Sequence, residues 1–436
     1  MPEHRLAVLL LTNEGFRQVD GGVARYIHNI LDSRDDVAAI ADERGVQVQW
    51  HVAERANCAG LDEKRFAQAL DRYVHHGDVR YYPLADPRAH SWEVDHFEHC
   101  IALGSAAGQV ALTVAHEADS LLVISGMSMF AMAARFVVRA ADQFALAASY
   151  VHMTHNPVLR PDGDAELPET YADSVMGHLA RSDPRVSIGW ESHWMRHQYQ
   201  QVYGIPGDKT LYARAGVPTD HVKFRPVPPN PELLHELGIP TDRDLVISWG
   251  RGVAEKGFHK LVDAARLTED RLVPVILNPH PYTDLEEHVR HTGSPAVLLH
   301  GQDDRVLTAL CQWPRTLSAA FLSEREAASV TPVEAALMNN GKGLVVAVLP
   351  TGVYPELVES GVSGLVAAGR DTSDAAAMLT AVTELTSKER TDLSQAALER
   401  GRREHDFRTN WRRSFQAVLD RHLSVIGAPP HSGAQA

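Results

Sequence analysis

Two glutamates, Glu326 and Glu334, bracket a segment whose residue types suit the binding of a sugar phosphate. Residues 319–322 are apolar, as in a short buried strand, and residues 335–338 have the composition of a helix. A turn and a helix N-terminus should therefore lie between the two carboxylates. The first N–H groups of a helix have no internal partner and carry partial positive charge, which favours phosphate. Carboxylates beside them can accept hydrogen bonds from sugar hydroxyls.

A glycine-rich turn that supplies two cations is the second candidate for chemistry. The sequence GRGVAEKG occupies residues 250–257, directly after the apolar run 245–249 and before a predicted helix from about Phe258. Ligands of open parallel sheets bind beyond the carboxyl ends of the strands. Arg251 and Lys256 would suit a diphosphate there and stabilise the charge on a departing nucleoside diphosphate. The alternative is a solvated turn with ordinary surface charges.

Glu334 also has a purely structural interpretation. The sequence Thr331-Pro332-Val333-Glu334 fits a capping box, with proline at the first helical position. That interpretation leaves Glu326, Arg251 and Lys256 unexplained, so the binding hypothesis is preferred.

Paired glycines in the N-terminal half form a weaker candidate. Gly21 and Gly22 open a predicted helix, and glycine lets the backbone approach an anion closely. A simple helix start is the alternative. The pattern is not GxGxxG, which disfavours a nicotinamide-dependent dehydrogenase.

The elements that must position these residues alternate along the chain. Apolar runs are separated by stretches with helical spacing, which predicts an α/β protein with parallel sheets. A proline-rich stretch at residues 225–231 interrupts the pattern and is a linker candidate. The predicted strands include residues 6–11, 120–125, 146–151, 245–249, 272–277, 296–299 and 343–349.

Composition limits the class of protein. A chain of 436 residues predicts two domains, and a formal net charge of -14 argues against nucleic acid as a partner. No apolar run reaches the roughly 18 residues of a membrane span, which predicts a cytoplasmic protein without integral membrane association. The three cysteines are far apart and fit a reducing compartment without structural zinc. A homodimer is compatible with the sequence.

The GRGVAEKG turn, the Glu326/Glu334 segment, GVYPE at 352–356 and GVSGLV at 361–366 resemble glycosyltransferase family 4. This family contains retaining enzymes of the GT-B fold that use nucleotide sugars. The similarity covers about residues 245–372 and returns at Phe407 and Trp411.

The resemblance implies two Rossmann-like domains that face each other across a cleft, with a C-terminal helix that crosses back to the first domain. The expected boundaries are an N-terminal acceptor-binding domain (1–222), a linker (223–232), a C-terminal nucleotide-sugar-binding domain (233–405), the crossover helix (406–426) and a disordered tail (427–436).

The resemblance also implies roles for individual residues. Arg251 and Lys256 would hold the donor diphosphate, Glu334 the ribose hydroxyls and Glu326 hydroxyls of the donor sugar. The remaining expected donor contacts are Gly21, Gly22, Gly301, Gln302 and the backbone N–H groups of Ala328, Ser329 and Val330. Neither a metal nor a cofactor is expected, and the donor would be a GDP or UDP sugar.

Residues 150–157 resemble the first-domain histidine segment of family members such as the mycothiol-pathway enzyme that joins GlcNAc to inositol phosphate. His155 is the implied contact to the donor sugar and, with Glu326, Arg251 and Lys256, completes the expected catalytic set. A His152/His155 metal pair is the alternative, although no third ligand is evident. The expected acceptor contacts are Asn13, His152, Asn156 and Glu191.

The expected reaction is sugar transfer with retention to a small polar acceptor in bacterial secondary metabolism, through oxygen, nitrogen or sulfur. A GT-B epimerase or hydrolase and a non-catalytic sugar-nucleotide-binding subunit are the alternatives. Two departures from the family leave the sugar open: Ala328 and Ser329 replace the usual aromatic residue and glycine, and residues 278–281 replace a GxG turn.

Overall fold

The computed structural model describes residues 4–17, 22–56, 62–85, 96–126, 128–154, 167–214, 216–269 and 271–427. The strands are β1 His4–Thr12, β2 Val46–Arg55, β3 Val79–Leu84, β4 Ser120–Ser125, β5 Ala148–Thr154, β6 Val186–Trp190, β7 Thr210–Tyr212, β8 Asp244–Trp249, β9 Leu272–Asn278, β10 Val297–His300, β11 Thr316–Phe321, β12 Val345–Val348 and β13 Leu365–Val366. The helices are α1 Gly22–Asp32, α2 Arg34–Asp42, α3 Glu63–Ala69, α4 His96–Ala115, α5 Ala131–Phe144, α6 Leu167–Ser182, α7 His193–Tyr203, α8 Pro231–Glu236, α9 Phe258–Leu267, α10 Thr283–Thr292, α11 Asp304–Cys311, α12 Thr331–Asn339, α13 Tyr354–Leu357, α14 Thr372–Glu384, α15 Ser387–Glu404 and α16 Phe407–Ile426.

These elements form two compact units. The N-terminal unit contains Met1–Arg214 together with Arg408–Ala436, and the C-terminal unit contains Ala215–Phe407. The first unit thus ends before residue 222, the predicted end of the first domain. The predicted disordered tail lies outside the described residues apart from Gly427.

The N-terminal unit is built on a parallel sheet with the strand order β3-β2-β1-β4-β5-β6-β7. The strands β1 and β4 follow from continuous apolar runs, since both faces of their sheet are covered by helices. The strands β2 and β3 were not predicted from the sequence. Polar residues such as Gln47 and Gln49 interrupt the apolar pattern of β2.

The C-terminal unit contains a second parallel sheet with the order β10-β9-β8-β11-β12-β13. The chain moves from β8 outward to β9 and β10, then returns to β11 on the other side of β8. The point between β8 and β11 is therefore the topological switch point of the sheet, where ligands of such folds bind. The predicted α/β class with two Rossmann-like parallel sheets is confirmed.

The proline-rich stretch packs on the C-terminal unit. Asn230 caps α8 by accepting a hydrogen bond from the Leu233 N–H at 3.0 Å, and Pro231 occupies the first turn of that helix. The Gln312 side chain accepts from the Val227 N–H at 2.9 Å and donates to the Arg225 carbonyl at 3.1 Å. Side-chain hydrogen bonds therefore fix the course of these residues.

The predicted return of the C-terminal helix to the first unit is confirmed. Within the N-terminal unit, α16 places the buried His422 between Ser149, at 2.7 Å, and Ser120, at 3.0 Å. Arg44 forms an ion pair of 2.6 Å with Asp420 on the same helix. A buried polar network thus supplements the apolar contacts that hold this helix.

Two of the three cysteines lie in the described part of the chain. Cys100 and Cys311 are buried free thiols, and Cys58 lies outside the described residues. Among the residues that the structure describes, no cluster of His, Cys, Asp and Glu has the arrangement of a metal site. No helix in that part of the chain has the length and apolar character needed to cross a membrane.

Candidate active site

Lys256 and Glu326 meet at the switch point of the C-terminal sheet. Lys256 lies on the turn that follows β8, and Glu326 lies on the loop that follows the neighbouring strand β11. Lys256 Nζ donates a hydrogen bond to Glu326 Oε1. The side chains keep only 23% and 8% of their surface exposed. The structure therefore joins two residues that the sequence assigned to separate tasks.

The backbone of the two loops is closely docked. Gly257 ends the GRGVAEKG turn with φ +67°, and a Cβ atom there would clash with the Leu322 carbonyl. The Glu324 N–H donates to the Glu255 carbonyl at 2.9 Å. Only glycine tolerates both this dihedral angle and this close approach. The turn is thus held against the end of β11, which fixes where Lys256 can reach.

Tyr354, the first residue of α13, contacts the Lys256–Glu326 pair. Its hydroxyl donates to Glu326 Oε1 at 3.2 Å and lies 3.1 Å from Ser323 Oγ. Burial raises the pKa of Tyr354 well above its usual value of 10.0, and the Glu326 charge raises it further. The hydroxyl therefore remains a hydrogen-bond donor near neutral pH.

The N-terminus of α12 faces the same region of the chain. The helix begins at Thr331 with Val330 as N-cap, and no side chain caps it. The capping-box interpretation is therefore wrong: Glu334 lies inside the helix instead of closing its end. The backbone N–H groups of Ala328, Ser329 and Val330 donate no hydrogen bond to another described residue. They remain available to an anion.

Glu334 forms a buried ion pair that the sequence analysis did not foresee. Lys223 Nζ lies 2.6 Å from Glu334 Oε1, and the two side chains are 10% and 5% exposed. Lys223 belongs to a short 3-10 turn, Val222–Phe224, and its carbonyl accepts a hydrogen bond from Thr308 Oγ1 at 2.9 Å. Each of the two glutamates thus has its own lysine.

A small cavity opens beside Lys256, and its free volume of about 10 Å³ has room for roughly one water molecule. It is lined by Ser248, Trp249, Lys256, Phe258, Phe321, Ser323, Thr331 and Tyr354.

The other predicted donor contacts of this unit lie at the same sheet edge. The Arg251 side chain is exposed, and its guanidinium forms no hydrogen bond or ion pair with another described residue. Gly301 follows β10, two strands from β8, and its N–H donates to the Asn278 carbonyl at 3.0 Å. Gln302 is exposed and donates to the His300 carbonyl at 3.1 Å. At about 4.8 Å per strand, Gln302 is displaced from Lys256 by about 10 Å across the sheet.

Several predicted residues of the N-terminal unit are buried at strand ends. His152 has no exposed surface and shares a hydrogen bond of 2.8 Å with Ser125. Asn13 and Glu191 follow β1 and β6 and are 3% and 4% exposed. Gly22 is the first residue of α1. Gly21, His155 and Asn156 lie outside the described residues.

Three members of the site were not predicted from the sequence: Lys223, Ser323 and Tyr354. No local pattern marks Lys223, because its partner is 111 positions away. Tyr354 lies inside the GVYPE motif, where a buried phenol could have been noticed as a hydrogen-bond donor.

Solved structures share the fold of the whole described chain. Sucrose-phosphate synthase from Thermosynechococcus elongatus matches with a TM-score of 0.70 and 15% identity, over 97% of this chain and 99% of that one. HepE from Anabaena, in complex with UDP and glucose, matches with a TM-score of 0.67 and 18% identity, over 95% and 99%. The α,α-trehalose 6-phosphate synthase of Burkholderia multivorans matches with a TM-score of 0.65 and 16% identity, over 98% and 99%. The fold is thus that of GT-B glycosyltransferases.

Part of the chain matches a protein family. Residues 230–400 match the family described as glycosyl transferases group 1, which covers most of the C-terminal unit and all of α12. No curated protein was found to match the sequence. The matched domain supports a glycosyltransferase.

Proposed function

We propose that this chain is a retaining glycosyltransferase of family 4 that moves a sugar from a nucleoside diphosphate sugar to a small polar acceptor. The observation that carries the proposal is the meeting of Lys256, Glu326 and the α12 N-terminus at the switch point of the C-terminal sheet. This unit would bind the donor, and the N-terminal unit would bind the acceptor.

The proposed diphosphate contacts are Lys256, Arg251 and the N–H groups of residues 328–330. An ammonium group has three donors, so Lys256 can bond Glu326 and a phosphate oxygen together. The cation then lies between two anions that would otherwise repel each other. Arg251, exposed on the same turn, supplies a second cation with bidentate geometry.

Glu334 is proposed to accept a hydrogen bond from the ribose, with Lys223 holding one of its oxygens. UDP and GDP are the proposed nucleotides. The Anabaena neighbour was solved with UDP, and an Escherichia coli neighbour was solved with UDP-2-fluoro glucose, which favours testing UDP first. Gly301 and Gln302 would lie beside the base.

In the proposed reaction, the bond between the anomeric carbon and the diphosphate oxygen breaks while the acceptor forms a bond on the same face. The acceptor proton passes to the departing diphosphate. Lys256, Arg251 and the helix N–H groups stabilise the charge that develops on that leaving group. All of these groups belong to the protein, so the proposed step needs no metal.

The acceptor is proposed to bind to the N-terminal unit. Asn13, His152, Asn156 and Glu191 are proposed to contact it, and His155, with Gly21 and Gly22, is proposed to contact the donor from the N-terminal unit. His152 and Glu191 are 0% and 4% exposed, so contact with an acceptor would require local movement of these side chains. The acceptor is predicted to be a small polar molecule of bacterial secondary metabolism that attacks through oxygen, nitrogen or sulfur. The mycothiol-type similarity also stays a prediction.

A thermal-shift screen with UDP, GDP, ADP and TDP tests the donor proposal. A ligand at 100 times its Kd should stabilise the protein by about 2.7 kcal/mol. The proposal is contradicted if none of the four raises the melting temperature. Incubation of the matching nucleotide sugar with water alone, followed by product analysis, distinguishes a transferase from a hydrolase or epimerase, which would consume the donor without an acceptor.

A further inference from the structure

Tyr354 controls how Glu326 faces a ligand. We infer that Tyr354 is a positioning residue that fixes the Glu326 carboxylate, so that Oε2 alone is presented to a hydroxyl of the donor sugar. This inference rests on the proposed function and deepens it. It names a side chain that affects the binding of the sugar part of the donor but not the binding of its nucleotide part.

The two oxygens of Glu326 are in different environments. Oε1 accepts hydrogen bonds from both Lys256 Nζ and the Tyr354 hydroxyl, the latter at 3.2 Å. Oε2 accepts no hydrogen bond from the described part of the chain. The residue is only 8% exposed, so a ligand that displaces water from Oε2 must supply the hydrogen bond that Oε2 then loses.

Tyr354 is itself held in place. It is 1% exposed, and its hydroxyl lies 3.1 Å from Ser323 Oγ, which belongs to the same loop as Glu326. If this phenol turned away, Glu326 Oε1 would keep only the hydrogen bond from the flexible Lys256 side chain. The hydroxyl therefore restricts the torsion of the Glu326 side chain.

The backbone beside Tyr354 fixes Glu326 as well. The Val353 N–H donates to the Glu326 carbonyl at 3.0 Å. Gly352, with φ +53°, comes so close that a Cβ atom would clash with the same carbonyl. Residues 352–354 thus hold both the main chain and the side chain of Glu326, and a change confined to the phenol tests the side-chain part alone.

Lys256 cannot fill this role by itself. It is proposed to contact the diphosphate and can bond Glu326 from several directions, because its ammonium rotates on a flexible stem. Tyr354 is 1% exposed, so the surrounding core holds its hydroxyl against Glu326 Oε1. Loss of its hydroxyl should therefore allow Glu326 to turn, with little effect on the nucleotide.

The test is Tyr354→Phe, which keeps the ring and removes only the hydroxyl. Calorimetry would first identify the nucleotide sugar that wild type binds most tightly in a panel of UDP and GDP sugars. The affinity of the variant for that nucleotide sugar would then be compared with its affinity for the corresponding free nucleotide. The free nucleotide should bind within about twofold of wild type. The nucleotide sugar should bind about tenfold more weakly, as for a lost hydrogen bond to a charged group.

Tyr73→Phe is the matched control, because it removes another buried hydroxyl that donates to a carboxylate, that of Asp32, at 2.9 Å in the N-terminal unit. It should change neither affinity. If Tyr354→Phe binds the nucleotide sugar as wild type does, or loses both ligands equally, the inference is overturned while the proposed function stands. If wild type binds no nucleotide at all, the proposed function fails, and the inference fails with it.

Ser323→Ala serves if Tyr354→Phe does not fold. It removes the Oγ atom that holds the Tyr354 hydroxyl but leaves the phenol in place. The nucleotide sugar should then bind about threefold more weakly, with the free nucleotide unchanged. Equal binding of both ligands to this variant and to wild type would also overturn the inference.

Discussion

Lys223 Nζ lies 2.6 Å from Glu334 Oε1, although the two residues are 111 positions apart and Lys223 precedes the first helix of its unit. Both side chains are nearly buried, at 10% and 5% exposure. The carboxylate assigned to the ribose is therefore already balanced by a cation before any nucleotide binds. The ion pair offsets part of the cost of burying the two side chains.

Replacement of Lys223 by methionine should destabilise the C-terminal unit. The change leaves the Glu334 carboxylate buried without its cation, at a cost of about 3–5 kcal/mol. Chemical denaturation should show a lower midpoint with an unchanged slope. Addition of Glu334→Gln should recover part of the loss, since the uncompensated charge is then gone.

The exposed pair Lys388–Asp392 is the matched control for Lys223, because its ion-pair distance is also 2.6 Å while the side chains are 83% and 63% exposed. Lys388→Met should leave the denaturation midpoint nearly unchanged, as exposed pairs contribute little. If the two lysine substitutions lowered the denaturation midpoint equally, the proposal that burial makes the Lys223–Glu334 pair important for stability would be contradicted.

Replacement of Lys256 by alanine should abolish most sugar transfer. Loss of a group that stabilises a developing charge typically lowers turnover by a factor of about 100 to 1,000. Acceptor affinity should change much less. Lys260→Ala is the control, because Lys260 bonds Glu324 and the Arg370 carbonyl on the outside of the same loops. Turnover near the wild-type value in Lys256→Ala would contradict the assignment of the diphosphate site.

Replacement of Gly257 by alanine should displace the turn that carries Lys256. The residue has φ +67°, and a Cβ atom added there would clash with the Leu322 carbonyl. Gly293 provides the comparison, since it has φ +62° with nothing within 4 Å. Gly293→Ala should cost about 1–2 kcal/mol from backbone strain alone and keep activity. Gly257→Ala should cost more and lower turnover at least tenfold, measured as kcat beside the melting temperature.

The stability of the N-terminal unit should depend on pH through His422. Burial, with a smaller effect of the nearby His4, lowers the pKa of His422 to about 3, whereas an unfolded histidine titrates near 6.5. The unfolded chain therefore binds a proton first as pH falls. The stability that neutral His422 provides is complete above pH 6.5 and is lost toward pH 3, at about 1.4 kcal/mol per pH unit.

Melting temperatures between pH 7.5 and 5 would measure this loss in wild type and in His422→Gln. The variant should be less stable at pH 7.5, where the contacts to Ser149 and Ser120 are lost, but should show a flatter dependence on pH. The exposed His116 of the same unit is the control, and His116→Gln should keep the wild-type slope. The buried His51, whose pKa is lowered to about 4, should retain part of that slope in every variant.

The sequence by itself determined the α/β class, the central strands and the position of the two site loops. Strands such as β4 and β8 are continuous apolar runs, because both faces of a parallel sheet are buried. Glycines at 250 and 257 and the acidic segment around Glu326 follow such runs directly, so their place at strand ends could be predicted. The strands β2 and β3 could not, since polar residues obscure their pattern.

Only the tertiary structure decided which charges pair. The sheet order places β11 beside β8, which brings Glu326 to Lys256, and the folding of residues 222–224 onto α11 and α12 brings Lys223 to Glu334. Tyr354 reaches Glu326 because β12 ends next to β11. The physical reason is that side-chain periodicity is a local property, whereas strand order and the contacts between loops depend on how the whole core packs.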